Sequence, residues 1–116
     1  MLPIVEAANA SHKHFAETIC KAYKESAKAR GTGISQRSEE FVEQKMADGD
    51  AIIATYDGEF AGFTYISTYE DRDYVAHSGL IVNPKFRGMG LAKKLKHSIF
   101  ELTREKYPDA SIFGIT

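Results

Sequence analysis

The strongest chemical signal in this sequence is a glycine-rich turn that leads into a basic helix. It lies within residues 78–92, which read SGLIVNPKFRGMGLA. The first turn of a helix leaves backbone N–H groups unpaired and carries the positive end of the helix dipole, so it binds phosphate where side chains leave room. Gly88 and Gly90 have no Cβ to block a ligand, and Ala92 keeps the next turn small. This combination predicts a phosphate-binding site, whereas a Gly-x-Gly pair alone occurs in many turns.

The charge of the chain is concentrated near the same turn. Five basic residues and no acidic residue lie between Lys85 and His97, so this segment carries +5. The other ten of the 15 Lys and Arg residues face 16 acidic residues, which leaves the remainder at −6. A net charge of −1 argues against a general nucleic-acid binder. The local excess favours a site for a small polyanion, and a solvated basic helix face is the alternative explanation.

Residues 87–92, Arg-Gly-Met-Gly-Leu-Ala, resemble the signature of the GNAT family of N-acetyltransferases, Arg/Gln-x-x-Gly-x-Gly/Ala. The family-like triplet Val82-Asn83-Pro84 precedes them, and the predicted elements follow the family's order from its first strand to its fifth. A narrower similarity links residues 78–96 and 107–110 to short bacterial members that acetylate amino acids, including those that form N-acetylglutamate. The resemblance implies transfer of an acetyl group from acetyl-CoA to a primary amine, for example that of glutamate. A protein lysine, an antibiotic amine and a non-catalytic acyl-CoA-binding regulatory module remain open.

The resemblance also implies how acetyl-CoA is bound. Backbone N–H groups of residues 87–92 would hold the pyrophosphate, and the strand ending at Val82 would pair with the pantetheine arm. A backbone N–H between Leu80 and Val82 would polarise the thioester carbonyl. In the family the strands on either side of the signature helix splay apart, and Gly79 is compatible with a bulge there. The implied coenzyme-binding residues are Leu80, Ile81, Val82, Arg87, Gly88, Met89, Gly90, Leu91 and Ala92.

The acceptor amine must lose a proton before it attacks, because an alkyl ammonium with a pKa of about 10 is almost wholly charged at neutral pH. His77 is the candidate catalytic base, since the unperturbed pKa of histidine, about 6.5, suits this task. A partly buried histidine that bonds to a neighbour is the alternative. Tyr65, Tyr69 and Tyr74 are candidates for the amine-binding pocket, of which Tyr65 and Tyr74 are preferred, and packing is the alternative for all three.

The first half of the chain predicts one strand and two helices. Pro3 to Ala7 is typical of a short strand, and Asn9 or Ser11 can cap a helix that runs to about Ala29. A second helix is predicted from about Arg37 to Ala47, capped by Ser35. Turn residues 48–50 follow it.

The second half changes to strand periodicity. Strands are predicted over 51–56, 59–68, 74–82 and 110–116, with Asp57-Gly58 as a two-residue hairpin turn between the first two. A helix is predicted from Gly88 or Gly90 to about Lys106. The expected fold is α/β (α+β) over a single domain, residues 1–116, with a mixed, mostly antiparallel central sheet and helices on both faces. The last strand should join through a right-handed parallel crossover.

Composition limits the remaining possibilities. The chain has 116 residues, 43% of them hydrophobic and 27% charged, and no apolar run approaches the length of about 18–20 residues that a membrane span needs. A single cysteine, Cys20, suits a reducing compartment, so the cytoplasm is the expected location. His12 and His14 should face apart on a helix, and no metal site is expected.

The resemblance implies more elements than this sequence contains. In the family a helix and two strands usually follow the fifth strand, and that helix often carries a tyrosine that protonates the leaving thiolate. The sequence ends at Thr116, so we expect that it is truncated after the fifth strand, or that a partner chain, as in a homodimer, covers residues 110–116. The expected partners are a small-molecule or peptide amine, with neither nucleic acid nor membrane.

Overall fold

The structure is a computed structural model of the chain and describes residues 2–29, 38–69 and 73–114. The predicted order of strands and helices is confirmed. The elements are β1 (Ile4–Ala7), a 3₁₀-helix (Ala10–Phe15), α1 (Ala16–Ala29), α2 (Glu39–Ala47), β2 (Ala51–Tyr56), β3 (Glu59–Tyr69), β4 (Tyr74–Val82), a second 3₁₀-helix (Pro84–Phe86), α3 (Leu91–Lys106) and β5 (Ser111–Gly114).

The strands form one mixed sheet in the order β1-β2-β3-β4-β5. The pairs from β1 to β4 are antiparallel, and β4 and β5 are parallel, as predicted. A two-residue turn joins β2 to β3, in which Asp57 and Gly58 have φ angles of 52° and 77°. Such a turn matches the twist of a hairpin because both of its residues adopt positive φ. The predicted fold class is therefore confirmed.

Helices cover both faces of this sheet, and each face has its own core. On one face, Ile19 of α1 and Val42 of α2 pack in a cluster with Phe63 of β3. On the other face, Leu95 and Ile99 of α3 lie in a second cluster whose strand members include Ile52, Ile66 and Val75. Strand β3 is consequently buried on both sides. This explains why its side chains are largely apolar on both faces of the sheet.

Two helix starts differ from their predicted form. The first helical segment begins as a 3₁₀-helix in which Ser11 N donates to Asn9 Oδ1 at 2.8 Å and Asn9 N donates to His12 Nδ1 at 3.0 Å. The second helix begins at Glu39, where the backbone N–H of Phe41 donates to Ser38 Oγ at 3.0 Å. Ser38 is thus the cap of α2, while Ser35 and the predicted start at Arg37 lie outside the described residues. None of the helices in the described part of the chain is long and apolar enough to cross a membrane.

Candidate functional site

The turn after β4 is anchored to β3 by Asn83. Its backbone N–H donates to Ala61 O at 2.8 Å, and its side-chain Nδ2 donates to Phe60 O at 2.8 Å. Its Oδ1 accepts from the backbone N–H of Lys85 at 3.1 Å. Phe86, which is 7% exposed, then packs into the core beneath α3. These contacts fix the chain where it leaves the sheet, so the following residues start from a defined position.

Gly88 and Gly90 both adopt positive φ, 85° and 74°. A residue with a side chain rarely takes this conformation, so the turn requires glycine on conformational grounds. A Cβ added at either position would meet no atom within 4 Å. Sequence reasoning explained these glycines by the space a ligand needs. The structure adds the backbone conformation as a second and independent reason.

The first backbone N–H groups of α3 have no partner within the helix, as at any helix N-terminus. Gly90 occupies the cap position without a side-chain hydrogen bond, and the first turn contains no acidic residue. The first bond within the helix is from Lys94 N to Gly90 O, at 3.2 Å. Arg87 and Met89 are exposed beside this turn, whereas the Leu91 side chain is 2% exposed in the core. Leu91 can therefore reach a ligand only through its backbone N–H.

The predicted bulge in β4 is confirmed at Gly79. Phe63 pairs with Ile81 and Tyr65 with Ser78, so two steps along β3 correspond to three along β4. Gly79 has a φ of 64°. The extra residue shifts the alternation of side chains, as bulges do. Before the bulge, odd-numbered residues of β4 face α3; after it, Leu80 and Val82 face α3 and Ile81 packs on the opposite core.

His77 lies half-buried on the α3 face of β4, with its Nε2 2.8 Å from Thr103 Oγ1. The Thr103 hydroxyl donates its only hydrogen to Ile99 O at 2.7 Å. The imidazole therefore donates from Nε2, and its Nδ1 keeps a lone pair. Burial lowers the pKa of His77 below 6.5, so the ring is neutral at pH 7. Both interpretations of His77 are compatible with this geometry, since it bonds to a neighbour and can still accept a proton.

A cavity of about 370 Å³ lies between α3 and the sheet, beside β4 and β5. Most of its wall is apolar, with His77 and Lys96 as the titratable groups. A drug-sized ligand site typically has this size and character. The lining residues are Thr64, His77, Leu80, Lys96, Ile99, Phe100 and Ile112. The structure thus brings His77 and Leu80 together, as the sequence-based site requires.

The three candidate tyrosines do not line this cavity. Tyr65 is 5% exposed on the opposite face of the sheet, where its ring meets that of Phe41 at 5.3 Å between centroids. Tyr69 and Tyr74 pair across β3 and β4 and are 46% and 43% exposed. Their assignment to the amine site stays a prediction.

Sequence reasoning missed the residues of α3 that complete the cavity. Lys96 and Ile99 line the cavity, and Thr103 bonds to His77 beside it. The three recur at the three-to-four spacing of one helix face, and this spacing could have indicated that they meet β4 together. The contact between Tyr23 of α1 and Gly79, which are 56 positions apart, had no local signal. Within residues 2–29, 38–69 and 73–114, no group of three His, Cys, Asp or Glu side chains is arranged to hold a metal ion.

Solved structures with the same fold include several acetyltransferases. N-acetylglutamate synthase from Neisseria gonorrhoeae, complexed with coenzyme A and N-acetyl-glutamate, matches with a TM-score of 0.76 and 19% identity over 100% of this chain and 26% of its own. Diaminobutyrate acetyltransferase from Paenibacillus lautus, complexed with its substrate and coenzyme A, gives 0.69 and 13% over 91% and 59%. Ribosomal-protein-alanine N-acetyltransferase from Brucella melitensis gives 0.67 and 16% over 99% and 80%. At these identities the likeness concerns the fold.

The chain spans about a quarter of the length of the N-acetylglutamate synthase structures, 26% and 24%. A search of curated proteins returned no match. The model of one protein family matches residues 16–111, which include α1, the bulged strand, the glycine turn and α3. That match covers most of the chain, and it shows that the protein belongs to the acetyltransferase (GNAT) family.

Proposed function

We propose that this protein binds acetyl-CoA and transfers the acetyl group to a primary amine. The observation that carries the proposal is the N-terminus of α3, which has no side-chain cap, begins just after two positive-φ glycines and is joined to the bulged strand by one short 3₁₀-helix. Family membership supports the reaction, and the coenzyme A present in two of the matched structures supports the donor. The residues fit such a donor, because the turn offers free N–H groups and surrounding cations to a pyrophosphate.

The donor would extend from the glycine turn along β4 into the cavity. Backbone N–H groups of residues 87–92 hold the pyrophosphate, with Arg87 adding a mobile counter-charge. Ile81 and Val82 offer backbone groups to the pantetheine arm, as an added strand would use them. The thioester then lies beside Leu80 and His77, which line the cavity.

His77 is the proposed base in this arrangement. Its Nδ1 takes the proton from the ammonium, directly or through one water, because its depressed pKa leaves it neutral at pH 7. The amine nitrogen forms a bond to the thioester carbon, and the carbon–sulfur bond breaks. The second proton of the nitrogen goes to the departing thiolate, directly or through water, so coenzyme A leaves as the thiol. A backbone N–H in the bulge offsets the charge that develops on the carbonyl oxygen.

We propose an amino acid, such as glutamate, as the acceptor. Lys96 supports this class, because it brings a cation to the wall of a largely apolar cavity and can pair with a carboxylate. Two of the matched acetyltransferases bind an amino acid or its product: N-acetyl-glutamate in one structure and L-2,4-diaminobutyric acid in the other. The lone Cys20 supports a cytoplasmic setting.

Calorimetry and a thiol-release assay test the proposal together. We expect acetyl-CoA to bind the purified chain and an amine panel that contains glutamate, ornithine and a lysine peptide to identify an acceptor that releases thiol. Binding without release from any amine would favour an acyl-CoA-binding regulatory module. Absence of acetyl-CoA binding by a folded chain would overturn the proposal.

A further inference from the structure

Two carbonyl groups at the β4 bulge accept hydrogen bonds from side-chain hydroxyls. Ser78 O accepts from Thr64 Oγ1 at 2.9 Å, and Gly79 O accepts from the Tyr23 hydroxyl at 2.5 Å. A bulge interrupts the regular ladder, so its backbone groups need other partners. Both donors are buried, since Thr64 is 2% and Tyr23 is 6% exposed. Each peptide of the bulge is therefore held by one hydroxyl.

The two hydroxyls reach the bulge from opposite faces of the sheet. Thr64 lines the cavity on the α3 face, whereas Tyr23 belongs to α1 and the core on the other face. The aromatic rings also fill the space beside Gly79, because a Cβ there would lie 2.3 Å from Tyr65 Cε1 and 2.6 Å from the Tyr23 hydroxyl oxygen. The Gly79 carbonyl is thus fixed toward the α1 face.

A planar trans peptide determines where the next N–H points. In such a peptide the C=O and the following N–H point in opposite directions. Since the carbonyl of Gly79 points to Tyr23 on the α1 face, the N–H of Leu80 points to the α3 face. The cavity lies on that face, and Leu80 lines it.

We infer that Tyr23 is a positioning residue that aims the Leu80 N–H into the cavity as the donor to the thioester carbonyl of acetyl-CoA. This inference rests on the proposed function and deepens it, because it selects one amide of the bulge and names the side chain that orients it. Tyr23 itself touches neither the cavity nor the reacting atoms.

The variant Tyr23→Phe removes only the hydroxyl and tests this role. Acetyl-CoA differs from coenzyme A by the carbonyl that the Leu80 N–H would bind, so the wild-type chain should bind acetyl-CoA about 2- to 10-fold more tightly. Calorimetry with both ligands should show that Tyr23→Phe loses this preference while its affinity for coenzyme A is unchanged. With an active acceptor, kcat should fall about tenfold or more and KM for acetyl-CoA should change little.

Tyr107→Phe is the matched control. Tyr107 is 8% exposed, and its hydroxyl donates to Asp50 Oδ1 at 3.0 Å, so this variant also loses one buried phenol hydrogen bond. We expect both variants to lose a similar amount of thermal stability, and only Tyr23→Phe to lose the preference for acetyl-CoA. Equal effects of the two variants on this preference and on kcat would reduce Tyr23 to a structural role and overturn the inference.

A measurement on the wild-type chain keeps the inference testable if Tyr23→Phe does not fold. In amide NMR spectra, replacing bound coenzyme A by acetyl-CoA should shift the Leu80 resonance more than its neighbours in β4. An unshifted Leu80 amide, or equal affinity for the two ligands, would overturn the inference while coenzyme binding stands. A chain that binds neither ligand would overturn the proposed function, and the inference with it.

Discussion

The two ends of α3 differ in how their side chains contact the rest of the fold. At the C-terminal end, Lys106 Nζ donates to Asp48 O at 2.8 Å, to Gly49 O at 3.1 Å and to Asp50 Oδ1 at 2.5 Å. Tyr107 donates to the same carboxylate oxygen. At the N-terminal end, about 24 Å away for a helix of 16 residues, no side chain caps the helix.

The charged side chains at the two ends of α3 also differ in how well they suit the helix dipole. Lys106 stands near the negative end of the helix dipole, where a cation is stabilising. Lys93 and Lys94 stand near the positive end, where a cation is unfavourable unless an anion is present. One end of the helix is thus bonded to the turn before β2, and the other is the end at which we propose that the pyrophosphate binds. The unfavourable charge beside open backbone donors supports the pyrophosphate site that we propose at this helix end.

The largest effect should come from a substitution at the C-terminal end of α3. Asp50→Ala leaves Lys106 and Tyr107 without their shared, buried acceptor and should lower the free energy of unfolding by about 2–3 kcal/mol. Affinity for acetyl-CoA should be nearly unchanged, because the helix start is not involved. Urea denaturation and calorimetry measure the two quantities. As a control, Glu59→Ala removes an exposed ion pair with Lys85 and should cost at most about 1 kcal/mol. Equal costs would show that the buried cluster contributes no more than a surface pair.

The next effect should come from the open end. Gly90→Val puts a branched side chain at a positive-φ position against the ligand and should weaken acetyl-CoA binding at least about tenfold, or about 1.4 kcal/mol. Gly49→Val is the matched control, because Gly49 has a φ of 72° and lies at the other end of α3. Both variants should lose stability through backbone strain, and only Gly90→Val should lose affinity. If the calorimetric affinity for acetyl-CoA fell equally in the two variants, the N-terminal end of α3 would not be the specific binding site.

A smaller effect of opposite sign should follow from Lys93→Glu. An acidic residue in the first turn suits the helix dipole, so the free chain should gain about 0.5 kcal/mol in stability. The same substitution should weaken acetyl-CoA binding, because it places a negative charge beside the pyrophosphate. Lys24→Glu, an exposed position within α1, changes the net charge equally and should do neither. Thermal unfolding with and without acetyl-CoA measures both quantities. A Lys93→Glu chain that is less stable, or that binds as tightly, would contradict the assignment of this helix end.

His77 is similar to both ends of α3, because its Nε2 is bonded to Thr103 while its Nδ1 keeps a lone pair. Its pKa is lower in the folded chain than in the unfolded chain, so the unfolded state binds the proton more readily. Its contribution to stability is therefore complete above a pH of about 6.5 and falls as the pH drops toward the folded pKa. The smallest predicted effect is that wild-type stability declines more steeply than that of His77→Gln below this pH. Denaturation at a series of pH values tests this, and parallel curves would contradict it.

The same residue gives a kinetic prediction once an acceptor is known. The acid limb of the wild-type rate profile should lie below pH 6.5, since burial depresses the pKa of the base. His77→Ala should lower kcat most at low pH, where solvent deprotonates the amine least, and leave coenzyme affinity nearly intact. An unaltered pH–rate profile would assign the proton transfer to water or another group.

Local patterns predicted the elements of this molecule better than its contacts. Strand β4 was predicted with its observed limits, Tyr74–Val82, because turn residues bound a β-rich run on both sides. The buried face of α3 followed from the spacing of Leu91, Leu95 and Ile99. Ser38 as a cap was missed because several serines precede the helix and only one can meet its first turn.

The parts of the site that the sequence did not predict depend on which face of the sheet a residue occupies. The bulge at Gly79 changes this face partway along β4, so counting in twos from His77 gives the wrong side for later residues. Tyr65 and Tyr74 were proposed for the amine site as aromatic residues in strands. Tyr65 packs in the core on the α1 face, and Tyr74 is the first residue of β4. Hydrogen bonds such as that from Tyr23 to Gly79 join distant segments, and no local spacing encodes them.

The extra residue in β4 acts as a phase shift in a two-residue repeat. In a strand without a bulge, the side chains that face one side of the sheet are all odd-numbered or all even-numbered, and the backbone N–H groups stay in the ladder. With the shift, His77 upstream and Leu80 downstream reach the same cavity although their numbers differ in parity. Deleting Gly79 would restore the regular repeat with Leu80 still on the α3 face, so the deletion would remove only the irregular backbone of the bulge. The bulged strand thus brings His77 and Leu80 to one cavity, where we propose that they act as proton acceptor and backbone donor.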